Sequence, residues 1–292
     1  MTDDQSQPKP EAVGKKPAKK KKVVVELTRK DFLYLGGVAV GSGAAAVLLT
    51  SGPLSPFSSL QNEQLSETQS EGGHGATGEH HWGMAISLDA CIGCEYCMRA
   101  CTATNDVFTD KTWNIVVPEE NSAGSPFFFT RPCLHCQNAP CVEVCPVKAT
   151  FHREDGLVVM DYTRCIGCRY CEVACPYDAR KFNWEARTDE NPYIPTWGVA
   201  EVERRPRGVV EKCTFCIHRI DDGLKTGLVP GVDPEATPAC VNICPVGARV
   251  FGDLKDPNSP VSKTIASNPT LQLREELGTK PSVYYIPPKE GL

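Results

Sequence analysis

No cysteine occurs in the first ninety residues of this 292-residue chain, and no C-x-x-C-H run occurs anywhere in it. The second absence excludes covalently attached c-type haem, which needs a histidine directly after the second thiol. A strong charge of one sign is also missing: a formal net charge of −5 gives no overall attraction to nucleic acid. No nucleophile–base pair stands out as a catalytic centre. GSGAAA (41–46) does fit G-x-G-x-x-A, but no βαβ unit surrounds it, and it is rejected as a nucleotide site. Long amphipathic helical periodicity is absent as well, while glycine and proline number 24 each. That punctuation implies short strands, short helices and many loops. Against these absences stand sixteen cysteines, all between Cys91 and Cys244. A chain this long holds a core without staples, so a disulfide scaffold starts as a weak reading.

Residues 1–31 form a basic leader containing KKPAKKKK (15–22). Such a run is ordinarily a solvated tail. Here it leads into LTRKDFLYLGGVAVGSGAAAVLLT (27–50), in which no charge follows Asp31. A charged flank before a modest apolar stretch is the pattern of an export signal. TRKDFL (28–33) resembles the twin-arginine signal, with Lys30 where the second arginine belongs. The apolar segment 32–50 is at the short end of what spans a bilayer, so removal as a signal and retention as a membrane anchor both stay open. Lys and Arg before Asp31 favour a cytoplasmic N-terminus with the body on the exported, periplasmic or extracytoplasmic, side. The alternative, if Lys30 disables the signal, is a body on the cytoplasmic face. Residues 51–81 read as a polar tether, in which His74, His80 and His81 are solvated linker histidines. The folded body is expected over 82–292. It opens on a short strand in WGMAISLDAC (82–91) and contains a β-hairpin in TFHREDGLVVM (150–160), turning at Asp155-Gly156.

The cysteines fall into four groups of four: Cys91, Cys94, Cys97 and Cys101; Cys133, Cys136, Cys141 and Cys145; Cys165, Cys168, Cys171 and Cys175; Cys213, Cys216, Cys240 and Cys244. Disulfides inside CIGCEYCMRAC would be cramped and would constrain little of the unfolded chain. Structural zinc uses two C-x-x-C pairs set well apart, a pattern only the last group loosely fits. The third cysteine of C-x2-C-x2-C decides between the readings. Three thiolates from one turn of backbone suit three corners of an iron–sulfur cubane better than one tetrahedral ion, and soft thiolates suit that chemistry. Cys165, Cys168, Cys171, Cys175 and Pro176 carry the full spacing of bacterial ferredoxins, in which the fourth cysteine ligates the other cluster.

Sixteen thiolates supply four [4Fe–4S] clusters with none left over. The resemblance to two-cluster ferredoxins implies Cys133, Cys136, Cys141 and Cys175 for one site and Cys145, Cys165, Cys168 and Cys171 for its partner. The outer groups then supply Cys91, Cys94, Cys97 and Cys244 for a third, and Cys101, Cys213, Cys216 and Cys240 for a fourth. The expected fold is α+β and loop-rich: two interleaved bacterial-ferredoxin-like modules, with residues 127–182 inserted in the other.

The spacing C-x2-C-x4-C-x3-C-P of the second group, together with RRPRGVVEKCTFCIHR (204–219), CPVGARVFGDLKDPNSPVSK (244–263) and LREELGTKPSVYYI (273–286), resembles a known family. These stretches resemble the four-cluster electron-transfer subunits of molybdopterin oxidoreductases, especially the dimethyl sulfoxide and polysulfide reductase type. The resemblance covers roughly residues 82–286. It implies a non-catalytic relay between a molybdopterin-containing catalytic subunit and a polytopic, quinone-reactive membrane subunit of a respiratory chain. All sixteen cysteines are kept, so no three-iron cluster is expected. Service to a hydrogenase or a multihaem complex is the alternative, and a zinc-dependent nucleic-acid binder a remote one. Lys212, Arg204, Arg205 and Arg207 precede Cys213; they are read either as surface charges or as cations that raise a cluster's potential. His135 and His218 are read as hydrogen-bonding or surface residues, not ligands.

Arg29→Ala tests the signal: if the twin-arginine route operates, the variant stays in the cytoplasmic fraction while the wild type is exported. Equal export of both would dismiss that route.

Overall fold

The computed structural model describes residues 76–289. The leader, segment 32–50, the tether through residue 75 and His74 lie outside the described residues. The first strand, β1 (Trp82–Ser87), is buried at five successive positions. It is the centre of a three-stranded sheet and so has a neighbour on either edge. On one side it runs antiparallel to β8 (Arg249–Asp253), with Trp82 opposite Asp253 and Ile86 opposite Arg249. On the other it runs parallel to β9 (Val283–Ile286), with Met84 opposite Val283. A strand covered on both faces reads as a near-continuous apolar run, which is why WGMAI does not alternate. The start of the body and the segment after the last cysteine group therefore share one sheet.

The remaining strands form two-stranded pairs. β2 (Ile115–Glu120) and β3 (Pro126–Arg131) make a hairpin whose turn is held by Asn121, with Oδ1 accepting from the Ala123 and Ser125 amides. β4 (Thr150–His152) and β5 (Val158–Met160) form the hairpin expected around Asp155-Gly156. β6 (Arg180–Phe182) pairs with β7 (Val210–Lys212), a long-range pairing that sets Arg180 directly across from Lys212.

All six helices among the described residues are short. α1 (Tyr96–Thr104) carries Cys97 and Cys101, α2 (Pro140–Glu143) carries Cys141, and α3 (Tyr170–Ala174) carries Cys171. α4 (Ile217–Lys225) starts on the residue after Cys216, and α5 (Ala239–Asn242) carries Cys240. Only α6 (Pro260–Ser267) stands apart from the thiols, capped by the Ser259 hydroxyl accepting from the Ser262 amide at 3.2 Å, with Pro260 in its first turn. Among the described residues no helix is long and apolar enough to cross a membrane. The described residues all fall within one compact unit.

The end of the tether differs from its expected solvated state. The His80 ring pairs with Asp253 at 2.8 Å and stacks on Trp82, while His81 is buried against the Ser282 hydroxyl at 2.9 Å. The reason is local: Gly78 donates to the Glu154 carbonyl and Leu254 donates to that of His81, so the backbone is anchored to the body before Trp82.

Asp155 ties three elements together. It accepts the Trp82 indole N–H at 2.9 Å and the Arg153 guanidinium, and Arg153 also bonds Asp221 on α4 at 2.8 Å. Asp155→Ala leaves the indole unpaired and is expected to cost about 1–3 kcal/mol. At roughly 2–4 °C per kcal/mol for a body of this size, loss of visible absorbance on heating should move down accordingly. An unchanged melting temperature would deny Asp155 this role.

Candidate metal centres

Each C-x-x-C loop has a positive φ at its third residue: Gly93 at 68°, His135 at 43°, Gly167 at 69° and Phe215 at 56°. The left-handed turn lets the two thiols of a loop face the same interior space. CIGCEYC and CIGCRYC repeat the conformation: Glu95 and Arg169 both follow at 62°, and helices α1 and α3 start on the next residue. Glycine is required in both loops. A Cβ at Gly167 would lie 2.2 Å from the Gly208 carbonyl oxygen, and one at Gly93 would lie 2.4 Å from the Phe128 ring. In the other two loops a side chain takes the strained position, at a cost of order 1–3 kcal/mol each. Those two residues, His135 and Phe215, stack on each other with ring centroids 4.0 Å apart. That packing offsets part of the strain.

The Cys-Pro turns form a second shared element. Lys148, Asp178 and Gly247, each three residues past a group's last cysteine, also have positive φ. The following amides reach back to sulfur: Ala149 N–H donates to Cys145 Sγ at 3.2 Å and Ala248 N–H to Cys244 Sγ at 3.3 Å.

All sixteen cysteines are free, which removes the disulfide reading. Two cavities bring thiols from different groups together. One is lined by Cys133, Cys136, Cys141 and Cys175. The other is lined by Cys145, Cys165, Cys168 and Cys171. Elsewhere the Cys101 thiol lies within electrostatic reach of Cys213, Cys216 and Cys240. Asn105 Nδ2 lies 3.7 Å from the sulfur of Cys101 and 3.6 Å from that of Cys216. Cys91 lies within reach of Cys97 and Cys244, and Cys94 closes the same loop. Among the described residues no three ligand-type side chains converge as a single ion would require. The thiols surround a space, not a point, which disfavours the zinc reading.

Burial pushes the thiol pKa values up, that of Cys240 to about 12, and those of Cys101, Cys136 and Cys213 are raised as well. Bare, these thiols are neutral. Three cations are buried among them. Arg180, 1% exposed, donates to Cys141 Sγ at 3.0 Å, Met160 Sδ at 3.0 Å and Thr150 Oγ1 at 2.7 Å. Arg249, 3% exposed, donates to Asn114 Oδ1 at 3.0 Å and to Thr130 Oγ1, and it lies within electrostatic reach of the Cys240 thiol. Lys212 is fully buried, with Nζ donating to the Cys213 carbonyl at 2.8 Å. None of these partners is a carboxylate. A buried charge without a counter-charge costs several kcal/mol. Metal-bound thiolates and the negative cluster they hold would supply the missing anion, so the donor set fits an iron–sulfur cubane.

The four basic residues before Cys213 separate cleanly. Arg204 pairs with Asp106 at 2.9 Å, Arg205 pairs with buried Glu211 at 3.1 Å, and Arg207 is exposed. Lys212 alone is both buried and without an acidic partner. His218 bonds Glu201 at 2.8 Å near the surface. His135 is fully buried: Nδ1 accepts from the Val158 amide at 3.1 Å, which leaves the proton on Nε2 to donate to the Cys213 carbonyl at 3.1 Å. Burial, with Lys212 and Arg180 nearby, holds its pKa well below the usual value, so it is neutral. Sequence reasoning overlooked Arg180, Arg249 and Asn105. The two arginines had a signal, for each stands five residues past a Cys-Pro cysteine, in CPYDAR and CPVGAR.

Two 4Fe-4S dicluster domain families match the chain, one over residues 125–191 and the other over 164–248. Among curated proteins, the chain is 46% identical to one from Halobacterium salinarum named as an iron-sulfur subunit of dimethyl sulfoxide reductase. That match covers 70% of this chain and 79% of the relative. Identity is 42% to the iron-sulfur cluster-binding subunit of menaquinone reductase from Nitratidesulfovibrio vulgaris, over 72% of this chain and 89% of that one. It is 37% to one of the polypeptides of polysulfide reductase from Wolinella succinogenes, over 72% and 96%. The thiol arrangement and these likenesses agree on loop-rich ferredoxin-type domains that carry electrons and do no substrate chemistry. The chain belongs to the ferredoxin-type iron–sulfur electron-transfer subunits of molybdopterin oxidoreductases, of the dimethyl sulfoxide and polysulfide reductase type.

Proposed function

We propose that the chain is a four-centre wire with one [4Fe–4S] cluster in each of four mixed ligand sets. The first is Cys91, Cys94, Cys97 and Cys244; the second Cys101, Cys213, Cys216 and Cys240; the third Cys133, Cys136, Cys141 and Cys175; the fourth Cys145, Cys165, Cys168 and Cys171. The observation that carries this reading is that each of two cavities is lined by four thiols, three from one group and one from the other. When bound, such a cluster supplies one-electron exchange and, with four protein thiolates, offers no open position to a substrate.

Neighbouring thiols support a linear order. Cys97 acts on Cys240, linking first and second sets; Cys133 acts on Cys213, linking second and third; Cys141 acts on Cys171, linking third and fourth. The body then divides into two interleaved modules. The inner one is 127–182, and the outer one closes through β1 and β8, with 82–292 as the whole four-cluster domain.

The two ends of this order also carry exposed apolar residues. Ile92 and Tyr96 flank the first set, and Ile166, Tyr170 and Val173 flank the fourth. These are the faces assigned here to a molybdopterin-containing catalytic subunit and to a quinone-reactive membrane subunit. The proposed location is at the membrane on the exported side, reached through the 28–33 signal.

Anaerobically loaded protein should contain about sixteen irons and about sixteen sulfides per chain, with absorption near 400 nm. Cys141→Ala and Cys175→Ala should each abolish the same single redox centre, and the double variant should lose no second one. Loss of two centres in the double variant would mean that each group holds its own cluster.

A further inference from the structure

We infer that Lys212, Arg180 and Arg249 are electrostatic positioning residues, one basic side chain at each interval between successive clusters, holding up the potentials of both clusters it separates. This rests on the four ligand sets proposed above.

The placement is systematic. Arg249, held by Asn114 Oδ1 at 3.0 Å and Thr130 Oγ1, lies within electrostatic reach of Cys240 in the second set and of Cys97 in the first. Arg180 bonds the Cys141 sulfur of the third set at 3.0 Å and bears on Cys171 of the fourth. Lys212 bonds the carbonyl of Cys213 in the second set at 2.8 Å, lies directly opposite Arg180 in the strand pair, and is within electrostatic reach of His135 in the third set's loop. Cys213 also accepts from His135 of the third set's loop, so this interval is bridged by hydrogen bonds on both sides.

The two arginines are held alike. Each guanidinium donates to a threonine hydroxyl, Thr150 or Thr130, and faces a methionine sulfur, Met160 or Met84. Neither the hydroxyl nor the thioether carries charge, so the cation is fixed in place without being neutralised. Paired surface cations would be screened by solvent and by their carboxylates; these three are not. A cluster held by four thiolates becomes more negative by one charge when it accepts an electron. A fixed cation beside it favours that reduced state, and charge and hydrogen bonding near sulfur are established controls on cluster potential. One cation shared by two neighbours acts on both at once, so removing it lowers both.

The test is a redox titration, by EPR, of the full-length, cluster-loaded chain and its variants. Arg180→Gln is expected to lower two of the four midpoints by at least tenfold in the reduction equilibrium, about 59 mV for a one-electron couple. Arg249→Gln should lower the other two, and Lys212→Met should lower one from each pair. Iron and sulfide should stay at the wild-type count. Unmoved midpoints overturn the inference, as do all four moving together or both arginines moving the same pair. Should a Gln variant load fewer irons than the wild type, Arg180→Lys or Arg249→Lys carries the test instead. The charge is kept, so the same two midpoints should stay near their wild-type values, and a fall of tenfold or more in either overturns the inference. Failure of the ligand sets would show separately, as wild-type protein with fewer than four centres.

Discussion

Everything in this body depends on burying sulfur ligands together with positive charge. Its helices and strands are too short to enclose a large core by their own packing, and seven cysteines are themselves part of the central buried cluster. Without bound iron, that interior holds neutral thiols and three cations lacking acidic partners, with Arg180 and Lys212 opposite each other across one strand pair. Like charges in that position destabilise a sheet, and burial raises the cost. The electrostatics close only when the thiols are deprotonated onto a metal. Cluster insertion and folding are therefore coupled in the way metal binding couples to folding in smaller metalloproteins. The three cations have a double meaning: they oppose folding of the empty chain and favour the loaded one.

Much of the site was legible in the sequence because cysteine spacing is a direct image of loop geometry. Three thiols at intervals of three residues force a tight turn, and Cys175 and Cys145, each before a proline, line cavities with thiols of another group. The Asp155-Gly156 hairpin was readable for the same reason, since its turn chemistry is local. The β6–β7 pairing and the parallel partnership of β1 with β9 were not readable. Three-residue strands carry almost no periodicity, and their pairing is decided by where the cluster loops bring the backbone. The two buried arginines were hidden by a general rule that arginine lies outside, a rule that fails when a negative cluster is buried beside it. His80 and His81 were misread for a related reason: composition resembling a tether does not reveal a strand edge waiting to receive it.

The two halves of the molecule solve the same problem with unequal parts. CIGCEYC and CIGCRYC share one backbone, and CPYDAR and CPVGAR each deliver an arginine between two thiol sets. At the corresponding position after the second group, CPVKAT supplies Thr150, which holds the Arg180 guanidinium. The first group lacks the proline altogether; there Asn105 lies beside the sulfurs of Cys101 and Cys216. The repeat has thus diverged where a second cation or a second turn would be redundant, and retained its form where thiol geometry demands it.

The relatives it resembles are named for dimethyl sulfoxide, menaquinone and polysulfide reductases, yet none of the residues that shape the thiol loops or hold the cations is positioned to meet a substrate. The buried parts answer to electron transfer alone. The large apolar side chains left exposed lie on the outer skin, where Ile166 is 64% exposed and Val173 is 87% exposed beside the Cys165–Cys171 loop. On the ligand sets proposed above, sulfur and charge fix the interior, and the apolar residues left exposed lie at the two ends of the order.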